Sequence, residues 1–111
     1  MAIEHWSDEI IVVDLSEAAD IGAELEKAEE FVFQTGRHDV VVDLANIEAV
    51  TSSNLSNLLR LRHLTSQRGR RLVLCNIEPS VEGVLSVTGL EEVFTTMCDR
   101  FAALATLEMI G

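Results

Sequence analysis

The stretch Val41-Val42-Asp43-Leu44-Ala45-Asn46-Ile47-Glu48-Ala49-Val50-Thr51-Ser52-Ser53-Asn54-Leu55 decides how the chain is read. It opens inside a β-branched run, Val40-Val41-Val42, which predicts a strand over Asp39 to Leu44. Consecutive apolar residues in so short a strand suit one covered on both faces. It closes on Thr51 and Ser52, whose hydroxyls precede an apolar stripe of Leu55, Leu58, Leu59, Leu61 and Leu64. Capping hydroxyls ahead of leucines at helical spacing mark the start of a helix. The six residues between, Ala45 to Val50, are a loop. Strand, short loop and helix in that order are the unit of an α/β fold.

The same rhythm extends both ways. Upstream, Ile3 to Trp6 and Glu9 to Leu15 read as two short strands joined by turn-forming Ser7-Asp8, hence a hairpin. Asp20 is placed to cap a helix in which Ile21, Leu25, Ala28 and Val32 recur on one face, and Gly36 ends it. Downstream, Gly69 closes the leucine helix and Arg71 to Cys75 forms a strand. Pro79 opens a short helix with Val81, Val84 and Leu85 on its buried face, stopped at Thr88-Gly89-Leu90. Val93 to Met97 predicts a last strand, and Asp99 caps a final helix running to about Leu107. The expected fold is a small mixed sheet of five strands, mostly parallel with an N-terminal hairpin. Four helices pack on it, in one domain over residues 1–111.

Composition narrows the function. The 111 residues are 48% hydrophobic with one proline and six glycines, which excludes a disordered chain. No apolar run reaches the ~20 residues a membrane span requires, and the first residues lack the pattern of a signal peptide. A cytoplasmic protein without membrane insertion is expected. The two cysteines, Cys75 and Cys98, form no motif and are expected as buried free thiols. Net charge is −11, all of it within residues 1–50, where 13 acids face two bases. This balance argues against a nucleic-acid partner. Five arginines between Arg60 and Arg71 read as a solvated helix face.

Signatures of catalysis are missing. There is no Gly-rich phosphate loop and no serine elbow, and His5, His38 and His63 have no ligand-spaced partners. Those histidines are expected at the surface or its boundary, and Asp43 and Glu48 as solvated loop caps. The chain is expected to have no catalytic residue, no metal and no cofactor. What remains is the polar cluster from Thr51 to Asn57 at a helix start, where unpaired N–H groups and the helix dipole favour an anion. By local chemistry alone it reads first as ordinary helix capping, since Ser and Thr are common caps.

The quoted stretch resembles the core motif of the STAS domain, the fold of anti-sigma factor antagonists. There a strand ending in Asp-Leu leads through a short loop to Asp-Ser-Ser-Gly-Leu. The similarity continues through Gln67-Arg68-Gly69-Arg70-Arg71-Leu72-Val73-Leu74-Cys75-Asn76, and through Leu85, Thr88-Gly89-Leu90 and Phe94, while Asp20 stands where an acidic residue often opens the family's first helix. The resemblance implies a protein that binds an anti-sigma factor, itself often a serine kinase. Phosphorylation of the motif's first serine then blocks docking, and a serine phosphatase reverses it. That serine is Ser52 here, with Ser53 as the second candidate. Thr51, Ser53, Asn54, Ser56, Asn57 and Asp20 are the expected partner-binding residues. Two positions depart from the pattern: Thr51 replaces the family Asp and Asn54 the Gly, and both bear on kinase recognition rather than on the fold. The family also implies alternatives: a non-switching scaffold, or an adaptor subunit of a transporter ATPase complex. A reading from another class is a small-molecule site near Asp20, Asn46 and Ser52.

Overall fold

Ser7 closes the opening hairpin. Its Oγ accepts from the N–H groups of Glu9 and Ile10, both at 3.1 Å. This lays β1 (Ile3–His5) antiparallel to β2 (Ile10–Asp14), with Glu4 opposite Val12. The computed structural model describes residues 3–110; residues 1, 2 and 111 of the expected domain lie outside them. Three further strands follow in parallel: β3 (Asp39–Asp43), β4 (Leu72–Cys75) and β5 (Thr95–Met97). Their spatial order is their sequence order.

That order dictates where the helices go. Each crossover steps one strand in the same direction, and right-handed crossovers then fall on one face. The three crossovers are α1 (Ile21–Thr35), α2 (Ser52–Gln67) and α3 (Pro79–Val87). Leu25, Val32, Leu58, Leu61, Val81 and Leu85 share one core with Ile11, Val13, Val40, Val42 and Leu74 of the sheet. The last helix, α4 (Arg100–Ile110), crosses nothing and covers the other face. Ala103, Leu104 and Leu107 pack there on Val12, Val41 and Val73. The valine run is therefore covered on both sides, with Val40, Val41 and Val42 all at 0% exposure.

Local signals place the helix ends. Asp20 Oδ1 accepts from Ala23 N at 3.1 Å, and Gly36 ends α1 in the left-handed region at φ 65°. The left-handed conformation calls for glycine at 36, where a Cβ would also displace the Arg68 side chain, 2.6 Å away at Cδ. Pro79 occupies the first turn of α3. Asp99 Oδ1 accepts from Ala102 N at 2.8 Å at the start of α4, which runs beyond Leu107 to Ile110.

Several expectations are corrected. The final strand begins at Thr95, not Val93, because a one-turn 3₁₀ helix at Leu90–Glu92 intervenes and the Leu90 carbonyl takes the N–H groups of Val93 and Phe94. Leu59 leaves the apolar stripe at 37% exposure, while Asn57 and Thr65 turn inward. The arginine cluster is solvated along α2, where Arg60 and Arg62 are exposed, and at Arg68 just after it, but not at Arg70 and Arg71. Arg60 bonds Glu29 at 3.1 Å, Arg68 donates to the Phe33 carbonyl at 2.7 Å, and Arg70 and Arg71 both reach the buried Asp39. His38 is buried, packed against His5 and Phe31. Cys98 is exposed where burial was expected. Asp43 is buried rather than solvated.

Candidate functional site at the start of the second helix

Thr51 is the N-cap of α2, and its Oγ1 accepts from Asn54 N at 3.0 Å. Asn54 returns the bond, its Oδ1 accepting from Thr51 N at 3.0 Å. This reciprocal pair is a capping box, with asparagine in the place usually held by Glu or Gln. The two departures from the family pattern thus act as one device. A hydroxyl replaces the carboxylate at the cap, and the residue three positions on closes the box. Because Thr51 holds the helix end, Ser52 is left out of the capping. Ser52 is the first residue of the helix and is exposed.

The start of α1 lies alongside. A Cβ on Gly22 would come within 3.3 Å of Asn57 Nδ2 and 3.7 Å of Asn54 Nδ2. The two N-termini frame an open groove of about 850 Å³. Asp20, Thr51, Ser53, Asn54, Ser56 and Asn57 all line it, so the structure brings the expected residues together. Ser52 is not among the lining residues, although Thr51 and Ser53 on either side of it are. Asn57 departs from its expected role as an accessible contact. It is buried at 4% exposure, and its Oδ1 accepts from Arg60. Asn46 lies apart, on the loop after β3, its N–H bonded to Glu78 Oε1 at 3.2 Å. Of Asp20, Asn46 and Ser52, only Asp20 lines the groove.

Sequence reading missed Arg60, which lines the groove and ties α2 to Glu29 of α1. The three-residue spacing from Asn57 was the available signal. It also missed the anchoring of the loop that delivers Thr51. Asp43 Oδ1 accepts from Ala45 N at 3.0 Å and Asn76 Nδ2 at 3.1 Å, while Oδ2 accepts from Arg100 Nε at 3.0 Å. Further along, Ser80 Oγ donates to the Glu48 carbonyl at 2.6 Å. The bond to Ala45 is the local loop cap expected of Asp43, but nothing local in the sequence pairs Asp43 with Asn76 or Arg100, or Glu48 with Ser80.

Electrostatics distinguish the two helix starts. α1 carries Asp20 at its cap and Glu24 in its first turn, whereas the first turn of α2 has no acid. The positive end of the α2 dipole is left without a neutralising carboxylate of its own turn. Beneath the loop, burial followed by the nearby Asp43 pushes the Cys75 thiol up to about 12. It stays a neutral packing group. Among the described residues no cluster of His, Cys, Asp and Glu could hold a metal, and no helix is long and apolar enough to cross a membrane.

The model of the STAS domain family matches residues 2–104. The chain is 28% identical over 72 residues to the Anti-sigma F factor antagonist of Paenibacillus polymyxa, covering 65% of this chain and 62% of that protein, less than two thirds of its length. It is 29% identical over 90 residues to BtrV of Bordetella bronchiseptica, covering 81% and 71%. The solved structure of RsbS from Moorella thermoacetica superposes with a TM-score of 0.82 at 22% identity over 97% of this chain and 94% of that one. The anti-sigma factor antagonist SpoIIAA in its unphosphorylated form gives 0.78 at 18% identity, over 98% and 96%. At these identities the structural likeness bears on the fold, while the family match covers nearly every residue. The chain belongs to the STAS domain family, that of the anti-sigma factor antagonists.

Proposed function

We propose that this protein docks on an anti-sigma factor of the serine-kinase type through the start of α2 and the adjoining groove, and that phosphorylation of Ser52 switches the docking off. The observation that carries this reading is an exposed serine at the first position of a helix whose cap is supplied by its neighbour. The hydroxyl is free for transfer without cost to the helix. A phosphate there adds about −1.5 to −2 charges. At a helix N-terminus that charge meets backbone N–H groups and a favourable dipole, so the fold tolerates it. Against a docked partner the same charge would be stripped of water, which opposes association. A serine phosphatase restores the binding form. The structurally similar SpoIIAA has been solved in both a phosphorylated and an unphosphorylated form, which supports the reading.

Incubating the full chain with its anti-sigma-type kinase and MgATP tests the proposal by intact mass and peptide mapping. One phosphate on Ser52, absent from Ser52→Ala, is the expected result. A kinase proven active on another substrate that leaves the chain unmodified contradicts it. That outcome favours a constitutive scaffold, or an adaptor such as a transporter ATPase subunit.

A further inference from the structure

We infer that Arg100, at the start of α4, is a remote positioning residue for the α2 start and acts through Asp43. The inference rests on the reading of Ser52 above for its functional consequence, but not for its structural content.

Asp43 is the last residue of β3 and the root of the loop that ends at Thr51. Its side chain is 7% exposed, and both oxygens are filled. One holds the loop at Ala45 and the neighbouring turn at Asn76, which sits at φ 54°. The other belongs to Arg100, through Nε and Nη2, both at 3.0 Å. The guanidinium also draws in Asp14 of β2 at 3.1 Å and Glu4 of β1 at 3.5 Å. One cation thus gathers carboxylates from three adjacent strands at the carboxyl end of the parallel sheet. From Asp43 the loop is fixed in steps. Leu44 N donates to the Cys75 carbonyl at 3.0 Å, Ile47 N to the Leu44 carbonyl at 3.1 Å, and Asn46 and Glu48 are held by Glu78 and Ser80.

Taking the cation away leaves Asp43 buried and unpaired, beside two more carboxylates. A buried charge without its partner either binds a proton or turns to water. If Asp43 turns, it releases Ala45 and Asn76, and the loop loosens at its root. The remaining bonds of Asp43 run to Ala45 and Asn76, so the effect is expected in the loop and the helix start it carries. Arg100 itself is not among the residues that line the groove.

Amide hydrogen exchange on the full chain, read peptide by peptide, tests this. Arg100→Gln is expected to speed exchange over residues 44–56 about tenfold while α1 keeps wild-type protection. Arg100→Lys, which keeps the charge but loses the fork, falls between. Asp43→Asn combined with Arg100→Gln removes both charges and is expected to restore protection over 44–51. Unchanged exchange over 44–56, or the same acceleration in every peptide, overturns the inference. Should Arg100→Gln fail to fold, Arg100→Lys and the double variant carry the same comparison. With the kinase that modifies the wild type, Arg100→Gln is expected to raise KM for the chain about tenfold and leave kcat unchanged. A fall in kcat alone contradicts positioning of the docking surface. A wild type that takes no phosphate overturns the switch, and the exchange data then decide the positioning role independently.

Discussion

Two helices begin side by side on this molecule, and their first turns differ in charge: one is acidic, the other neutral. α1 is capped by Asp20 and has Glu24 in its first turn, so its dipole is answered by its own side chains. α2 is capped by neutral Thr51 and Asn54 and has no acid in its first turn. The geometry is shared, since both caps accept an N–H three residues on, at 3.1 and 3.0 Å. For the phosphate proposed at Ser52, the contrast means that no carboxylate in the first turn of α2 stands against the added charge. It also gives the departures at Thr51 and Asn54 a physical meaning: they secure the helix end while keeping it free of carboxylate.

The contrast is confined to the first turns, and the helices below should behave alike. Leu25 of α1 and Leu61 of α2 are both at 0% exposure in the same core. Leu25→Ala and Leu61→Ala are each expected to cost about 2–5 kcal/mol in denaturant unfolding. A loss below about 1 kcal/mol from either one would break the symmetry assumed here.

The caps come next in size. Asp20→Ala and Thr51→Ala are each expected to cost about 1 kcal/mol. They should part company when salt is added. The Asp20 cost includes attraction between a charge and the dipole, which salt screens, whereas the Thr51 cost is a neutral hydrogen bond. Melts of both variants at low and high salt measure this. Equal salt dependence would remove the electrostatic difference between the two starts.

The smallest effect lies at the far end of α1, where Phe31 packs on His5 and His38. Burial first, then Arg37, His5 and Arg70, hold His38 below its ordinary value of 6.5, with Asp39 pulling the other way. The unfolded chain therefore takes up this proton more readily than the folded one. Stability from this source is full above about pH 6.5 and is lost as pH falls through the lowered folded value. His38→Gln should flatten that part of the stability curve. A wild-type curve already flat there would contradict the reading. Asp14 is shifted in the opposite sense to what burial alone would do. Burial raises it, but bonds from Ser16 and the pull of Arg100 more than offset this and leave it lowered.

Much of the framework was legible because it is written locally. Asp20, Gly36, Thr51 and Pro79 each mark a helix end through chemistry within a few residues of themselves, and the Val40–Val42 run announces a strand buried on both faces. The helix start that presents Ser52 could be read for the same reason. What could not be read depends on partners distant in sequence. Asp43 looks like any loop carboxylate until Arg100 and Asn76 converge on it. His38 looks like a boundary residue until the hairpin brings His5 over it. The arginines at 70 and 71 look solvated until Asp39 comes within reach. Asn57 sits in a polar run, and only the packing of α1 against α2 turns it inward. The 3₁₀ turn at Leu90–Glu92 was hidden because Gly89 and Leu90 fit a simple helix stop equally well.

The most direct test of the switch is a binding titration of the anti-sigma-type kinase with wild type, Ser52→Ala and Ser52→Asp, each checked to be folded. The account predicts that Ser52→Ala binds as the wild type does. Ser52→Asp should bind at least tenfold more weakly, a cost of about 1.4 kcal/mol or more. Ser52→Asp should also melt no lower than wild type, since a carboxylate in the first turn of α2 complements the dipole by about 0.3–1 kcal/mol. Equal affinity of all three proteins for the kinase would contradict the account.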